Sequence, residues 1–151
     1  VVRTPADGEL DERVELPGIL PRPGLLKLYA AAHALLIPLF DDIRSTARFP
    51  TKTGEYLASG RPVVTTAVGE MPRYLRDRVT AFMCPPDDAR VYGETIADLL
   101  SDPGLAAAVG RAGRELCRST FDYRIHGPAL AQMVEDLSMR GSGLARVATH
   151  E

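Results

Sequence analysis

The sequence predicts an α/β domain with a doubly wound parallel sheet, on three observations. Short apolar runs of strand length alternate along the chain with longer stretches of helical periodicity. No hairpin signal such as Asn-Gly joins neighbouring strands. The run Val63-Val64-Thr65-Thr66 is β-branched throughout, as suits a strand buried on both faces.

In chain order, Val1 to Thr4 reads as the end of a strand, followed by a polar turn through Pro5, Asp7 and Gly8 and a short helical turn over Leu10–Arg13. Val14-Glu15-Leu16 is expected to be a brief strand stopped by Pro17-Gly18. Ile19 to Gly24 is expected to be loop, because Pro21 and Pro23 push their predecessors out of the helical region. Leu25, Leu26, Leu28, Tyr29 and Ala32 recur at helical spacing, so Gly24 to Ala32 is a helix packed along one side. Ala34 to Leu39 is a buried strand, ended by Pro38. Phe40 to Arg48 is polar and irregular, and it leaves the carboxyl end of that strand, the edge where open α/β sheets bind ligands.

Phe49 to Thr66 is the stretch the rest is organised around. Pro50 suits the start of a helix, which continues through Glu55, Tyr56, Leu57 and Ala58 to a stop at Ser59-Gly60. Pro62 leads into strand Val63–Thr66. Glu70 to Arg76 is a short helix and Thr80 to Met83 a strand closed by Cys84-Pro85-Pro86. Asp87 and Asp88 offer caps to a helix over Ala89–Leu100. Ser101 to Gly104 reads as a turn, Leu105 to Cys117 as helix, and Asp122 as the cap of a last helix from Tyr123 to Met139. This divides the chain into one domain over 1–139, incomplete at its N-terminus since it opens on Val1 in mid-strand, and a flexible tail over 140–151.

At 151 residues the chain has room for a proper core. A net charge of −2 gives no support to nucleic-acid binding driven by bulk charge. Cys84 and Cys117 have no metal-site spacing and read as free thiols, suiting a reducing, cytoplasmic compartment; His33, His126 and His150 are scattered, so no metal is expected. No apolar run is long enough to span a membrane. Chemistry concentrates at the helix start. Thr51 and Thr53 bring hydroxyls and N–H groups to a first turn with unpaired donors, Lys52 adds a cation, and together they form an anion site. Glu55, one turn in, is placed to hydrogen-bond a polyol beside that anion. Phosphate beside a sugar hydroxyl is the chemistry of a nucleotide or nucleotide-sugar.

The order of these signals resembles the C-terminal, donor-binding half of GT-B glycosyltransferases, in particular the retaining group-1 type, glycosyltransferase family 4. The resemblance runs over residues 13–138: Gly18, Leu28-Tyr29, Pro38, Phe49-Pro50, the run from Glu55 to Val64, Gly69-Glu70, Phe82 to Asp87, Asp102-Pro103 and the helix after Phe121. It implies a Rossmann-like domain. It also implies transfer of a sugar from a nucleoside-diphosphate sugar to an acceptor hydroxyl with retention and no metal or other cofactor. The donor would lie against a second, acceptor-binding domain upstream that this chain lacks. By resemblance Glu55 binds the ribose, Thr51, Lys52 and Thr53 lie along the diphosphate, and Phe49 and Pro50 belong to the donor-binding loop. Gly18, Ile19 and Leu20 pass the base. The family's first motif glutamate falls on Ala47, which leaves Asp41, Asp42 or Arg44 as candidates for the sugar contact. No residue stands out as nucleophile or general base, and in this class the leaving phosphate is proposed to take the acceptor proton.

Simpler readings stand beside these. Glu55 and Lys52 suit a solvated helix start, and Asp41-Asp42 a capping pair or, as in receiver domains, a phosphoacceptor. Glu70 suits a first-turn acid favoured by the helix dipole. Arg111, Arg114 and Arg118, at i, i+3 and i+7, suit a solvated face or a peripheral contact with an anionic membrane or lipid-linked acceptor. A UDP-sugar 2-epimerase shares the fold but needs catalytic acids not identified here, and a non-catalytic nucleotide-sugar-binding module shares the site.

Overall fold

A computed structural model describes residues 14–145, with side chains through residue 139. The strand expected at Val1–Thr4 and the turn at Leu10–Arg13 lie outside the described residues, as do residues 146–151. Three parallel strands, β1 (Leu35–Ile37), β2 (Val63–Thr66) and β3 (Phe82–Cys84), form one sheet in the order β1-β2-β3. The register pairs Leu36 with Val64 and Val64 with Phe82. Helices α1 (Arg22–Ala31), α2 (Ile43–Thr46), α3 (Lys52–Ser59), α4 (Met71–Tyr74), α5 (Ala89–Ser101), α6 (Pro103–Thr120) and α7 (Tyr123–Ala145) complete the described chain.

Strand β2 is buried at all four positions, which explains its β-branched composition. Its alternate side chains enter two separate cores. Val63 joins Tyr29, Leu35, Ile37, Leu57, Met71 and Leu75 on one face, and Val64 joins Phe82, Leu99, Ala106 and Val109 on the other. Thr65 and Thr66 remain satisfied although buried: their hydroxyls donate to the β1-side carbonyls of Ile37, at 3.0 Å, and Leu39, at 2.7 Å. Tyr92 on α5 donates to the Val64 carbonyl at 3.0 Å, and burial pushes its phenol well above the ordinary range.

Helix α6 lies against the α3–β2 connection and the entrance to β3 because two glycines let it. A Cβ on Gly110 would meet the Gly60 carbonyl oxygen at 2.3 Å, and one on Gly113 the Thr80 carbonyl oxygen at 2.7 Å. Gly60 itself closes α3 with φ 76°, a conformation that favours glycine.

Several boundaries differ from the sequence expectation. Val14–Leu16 is not a strand: Val14 and Leu16 are half-exposed and pair with no described strand, so three residues have nothing to bury against. Helix α1 begins at Arg22 rather than Gly24, because Pro21 serves as N-cap and Pro23 occupies the first turn, where its missing N–H costs nothing. The polar stretch after β1 contains the one-turn helix α2, capped by Asp42. Ser101–Gly104 is not a separate turn. Asp102 caps α6 directly by accepting from Leu105 N at 2.9 Å, and Pro103 sits at the helix start. Helix α7 runs through Gly141-Ser142-Gly143 to Ala145, so the expected break at 140 is not a helix end.

Candidate functional site

The connection from β1 into α3 brings the motif residues to the carboxyl edge of the sheet. Phe49 anchors it: its ring lies 5.3 Å from both Tyr74 and Phe121, in a cluster that pins the approach to α3. The Pro50 carbonyl accepts from Thr53 N at 3.0 Å. Cys117 Sγ on α6 reaches the Gly54 carbonyl at 3.3 Å, which fixes the first turn from behind. Thr51 occupies the N-cap without a side-chain cap bond, so the N–H groups of Thr51 and Lys52 have no acceptor among the described residues.

Within that turn Lys52 Nζ lies 2.9 Å from Glu55 Oε2, and both side chains are half-exposed. Tyr29 on α1, itself buried, places its hydroxyl 3.4 Å from Glu55 Oε2 and 3.4 Å from Lys52 Nζ. The Lys52 ammonium holds the Glu55 carboxyl below the usual carboxylate range, and Glu55 in turn raises Lys52. The result is an ionised acid and an ionised base side by side, open to solvent on one side and braced by a phenol on the other. Glu55 and Tyr29 line a cleft of about 780 Å³ that also takes in Arg22, Leu25, Phe121 and Arg124.

The remaining expected residues fall in different places. Thr53 corrects the expectation of an available hydroxyl. Its side chain is fully buried, with Oγ1 3.8 Å from the Met71 sulfur, and its N–H is already bonded, because this position of α3 faces the core. Gly18, with φ 67°, Ile19 and Leu20 form the approach to α1, and none of them lines the Glu55 cleft; Ile19 is fully exposed. Asp42 accepts from Ser45 N at 2.7 Å, which lowers its pKa. Asp41 N donates to the Asp87 carboxylate at 3.3 Å, and Arg44 is exposed. Glu70 pairs with Arg73 at 3.3 Å. A second hollow of about 320 Å³, lined by Leu39, Phe40, Thr66, Asp87 and Tyr92, opens over the strand ends. Among the described residues no three His, Cys, Asp or Glu side chains converge, and no helix is long and apolar enough to cross a membrane. Both cysteines are free thiols, each raised above the ordinary value by burial.

Sequence reasoning placed Tyr29 only as a packing residue. Its one distinguishing signal is that it alone in the apolar stripe of α1 carries a hydroxyl.

A parallel sheet whose central strand is buried on both faces, flanked by helices and with an acid–base pair at the helix start on its carboxyl edge, is a Rossmann-like domain. The chain belongs to the family of group 1 glycosyl transferases, whose model matches residues 2–102. It is 31% identical over 96 residues to a D-inositol 3-phosphate glycosyltransferase of Kribbella flavida, covering 64% of this chain and 22% of that protein. Among solved structures it is similar to sucrose-phosphate synthase from Thermosynechococcus elongatus, with TM-score 0.72 and 26% identity over 82% of this chain and 30% of that one. HepE of Anabaena, solved in complex with UDP-glucose, shares the fold at TM-score 0.65 and 17% identity, covering 73% of this chain and 29% of that one. The match thus spans only about a sixth to a third of the length of the curated relatives.

Proposed function

We propose that this chain binds the nucleoside-diphosphate-sugar donor of a glycosyltransferase that moves the sugar to an acceptor hydroxyl with retention and without a metal ion. The observation that carries the reading is the Lys52–Glu55–Tyr29 cluster at the first turn of α3. An ionised carboxylate accepts from both hydroxyls of a ribose, so Glu55 sets the register of the donor, and Tyr29 keeps its carboxylate aimed. The N–H groups of Thr51 and Lys52, with the Lys52 ammonium, meet the diphosphate and stabilise the charge that grows on it as it leaves. The bond from the anomeric carbon to the diphosphate oxygen breaks, and the bond to the acceptor oxygen forms on the same face. The acceptor proton passes to the departing diphosphate. A second domain holds the acceptor. The UDP-glucose held by HepE accords with a nucleotide-sugar as the donor class.

The test is Glu55→Ala in the full-length enzyme, with turnover followed against donor concentration and the product anomer read by NMR. Loss of a charge-assisted contact to the ribose should weaken donor use by roughly tenfold or more. Wild-type kinetics, or an inverted product, would refute the reading.

A further inference from the structure

At the opposite edge of the sheet, the chain segments that enter β1 and β2 meet the α5–α6 corner around a cavity of about 470 Å³. His33 precedes β1, Gly60, Arg61 and Pro62 precede β2, and Arg111 and Arg114 project from α6. Three guanidinium groups and an imidazole line this cavity, and among the described residues no carboxylate does. Arg111 and Arg114 have no ion-pair partner among the described residues, although Arg118 of the same face is paired with Glu115 at 3.6 Å. Asp102, beside the cavity, directs its carboxylate to Leu105 N instead.

The ordinary explanation for such arginines is the negative ends of nearby helices. Helices α1, α3 and α5 all end here, and Arg61 Nη2 donates to the Ala30 carbonyl. Three helix C-termini supply only about half a negative charge each. Against three arginines, and with the N-terminus of α6 at Pro103 adding about half a positive charge, that leaves a surplus of about two positive charges. The Arg114 stem packs on Gly60, with Cδ 3.4 Å from where a Cβ would stand, and the residue lines both this cavity and the Glu55 cleft. A fork of arginines with two charges in excess matches a phosphate dianion, whose oxygens accept bidentate donation.

We propose that this cavity binds a phosphomonoester, separate from the donor and at the amino edge of the sheet, with Arg114 standing between it and the Glu55 cleft. The proposal goes beyond the donor-site reading and does not depend on it. The ligand is a small phosphorylated metabolite or the monoester headgroup of a lipid.

The experiment is an NMR titration of the ¹⁵N-labelled chain with glycerol 1-phosphate and, separately, with glycerol. It is paired with flotation on phosphatidylcholine vesicles containing phosphatidic acid or, at matched charge, phosphatidylglycerol. Saturable shifts at Gly60, Arg61 and Ala107 with glycerol 1-phosphate but not glycerol support the site and a free ligand. Flotation with phosphatidic acid but not phosphatidylglycerol supports the site and a lipid source. Arg111→Gln, an exposed side chain with no bond to lose, should weaken either response on the order of tenfold. The double variant Arg61→Gln/Arg111→Gln should abolish it. Neither response, equal responses to both lipids, shifts confined to Gly54 and Glu55, or unchanged affinity in Arg111→Gln with its spectrum native would each overturn the proposal. Because nucleotide shifts at Glu55 are read on the same sample, failure here is distinguishable from failure of the donor site.

Discussion

Gly110→Ala tests the packing that holds the site together. An added Cβ would stand 2.3 Å from the Gly60 carbonyl oxygen, 3.1 Å from the Arg61 carbonyl carbon and 3.1 Å from Pro62 N. All three are backbone atoms that cannot rotate aside. Helix α6 must therefore retreat by about 1 Å to restore ordinary contact distances. Overpacking of this kind costs about 1–3 kcal/mol, and the rigidity of the obstacle puts this case at the upper end. Alanine is the better helix former by about 1 kcal/mol, so the net loss is roughly 2 kcal/mol. Gly93→Ala is the control: it lies inside α5 with nothing within 4 Å of its would-be Cβ, so only the propensity gain of about 1 kcal/mol remains. Thermal unfolding followed by circular dichroism reads both. At roughly 2–4 °C per kcal/mol, Gly110→Ala should melt about 4–8 °C below the wild type and Gly93→Ala about 2–4 °C above it. A Gly110→Ala variant as stable as the wild type would refute the close approach of α6 to the α3–β2 connection.

Two further outcomes follow from the site and the fold. Lys52 holds the Glu55 carboxyl below its reference value of 4.5, so the carboxylate is complete above that pH and lost only as pH falls through the lowered folded value. Lys52 is raised above 10.5, so its charge is complete below that pH and lost only as pH rises beyond it. Donor affinity measured by calorimetry should therefore be flat between about pH 5.5 and 9.5 as far as this pair is concerned, and a midpoint near neutrality that vanishes in Glu55→Gln would contradict it. Asp88 accepts from Arg90 N and Val91 N, both at 3.0 Å, at the start of α5, so Asp88→Ala should lower the unfolding free energy in urea by about 1 kcal/mol.

How far the sequence reached depended on whether the deciding signal was local. Strand β2 was legible to the residue, because Gly60 and Pro62 punctuate a four-residue β-branched run with no competing pattern. The start of α5 was legible from Asp88 for the same reason. Errors arose where one residue type serves two purposes. Asp102-Pro103 suits a turn as well as a cap with proline behind it, and Pro21 and Pro23 suit a loop as well as a helix start. One turn of α2 is too short to leave a period. At the site, Glu55 and Lys52 lie on one helix and their pairing follows from spacing, whereas Tyr29 is 26 residues away and reaches them only through α1–α3 packing. Thr53 differs from Thr51 only in which side of α3 it occupies, and that side is set by Met71 and the sheet. The cationic cavity was half legible as an arginine period on α6; Arg61 and His33 join it only because the two strand entrances are adjacent.

The proposed function puts a nucleoside-diphosphate sugar at the start of α3. The most direct measurement is an NMR titration of the ¹⁵N-labelled chain with UDP-, GDP- and ADP-sugars, which reads binding even at millimolar dissociation constants. One base should give saturable shifts at Lys52, Gly54 and Glu55 that disappear in Glu55→Ala. Shifts confined to other parts of the molecule, or none with any nucleotide while the spectrum stays native, would contradict it.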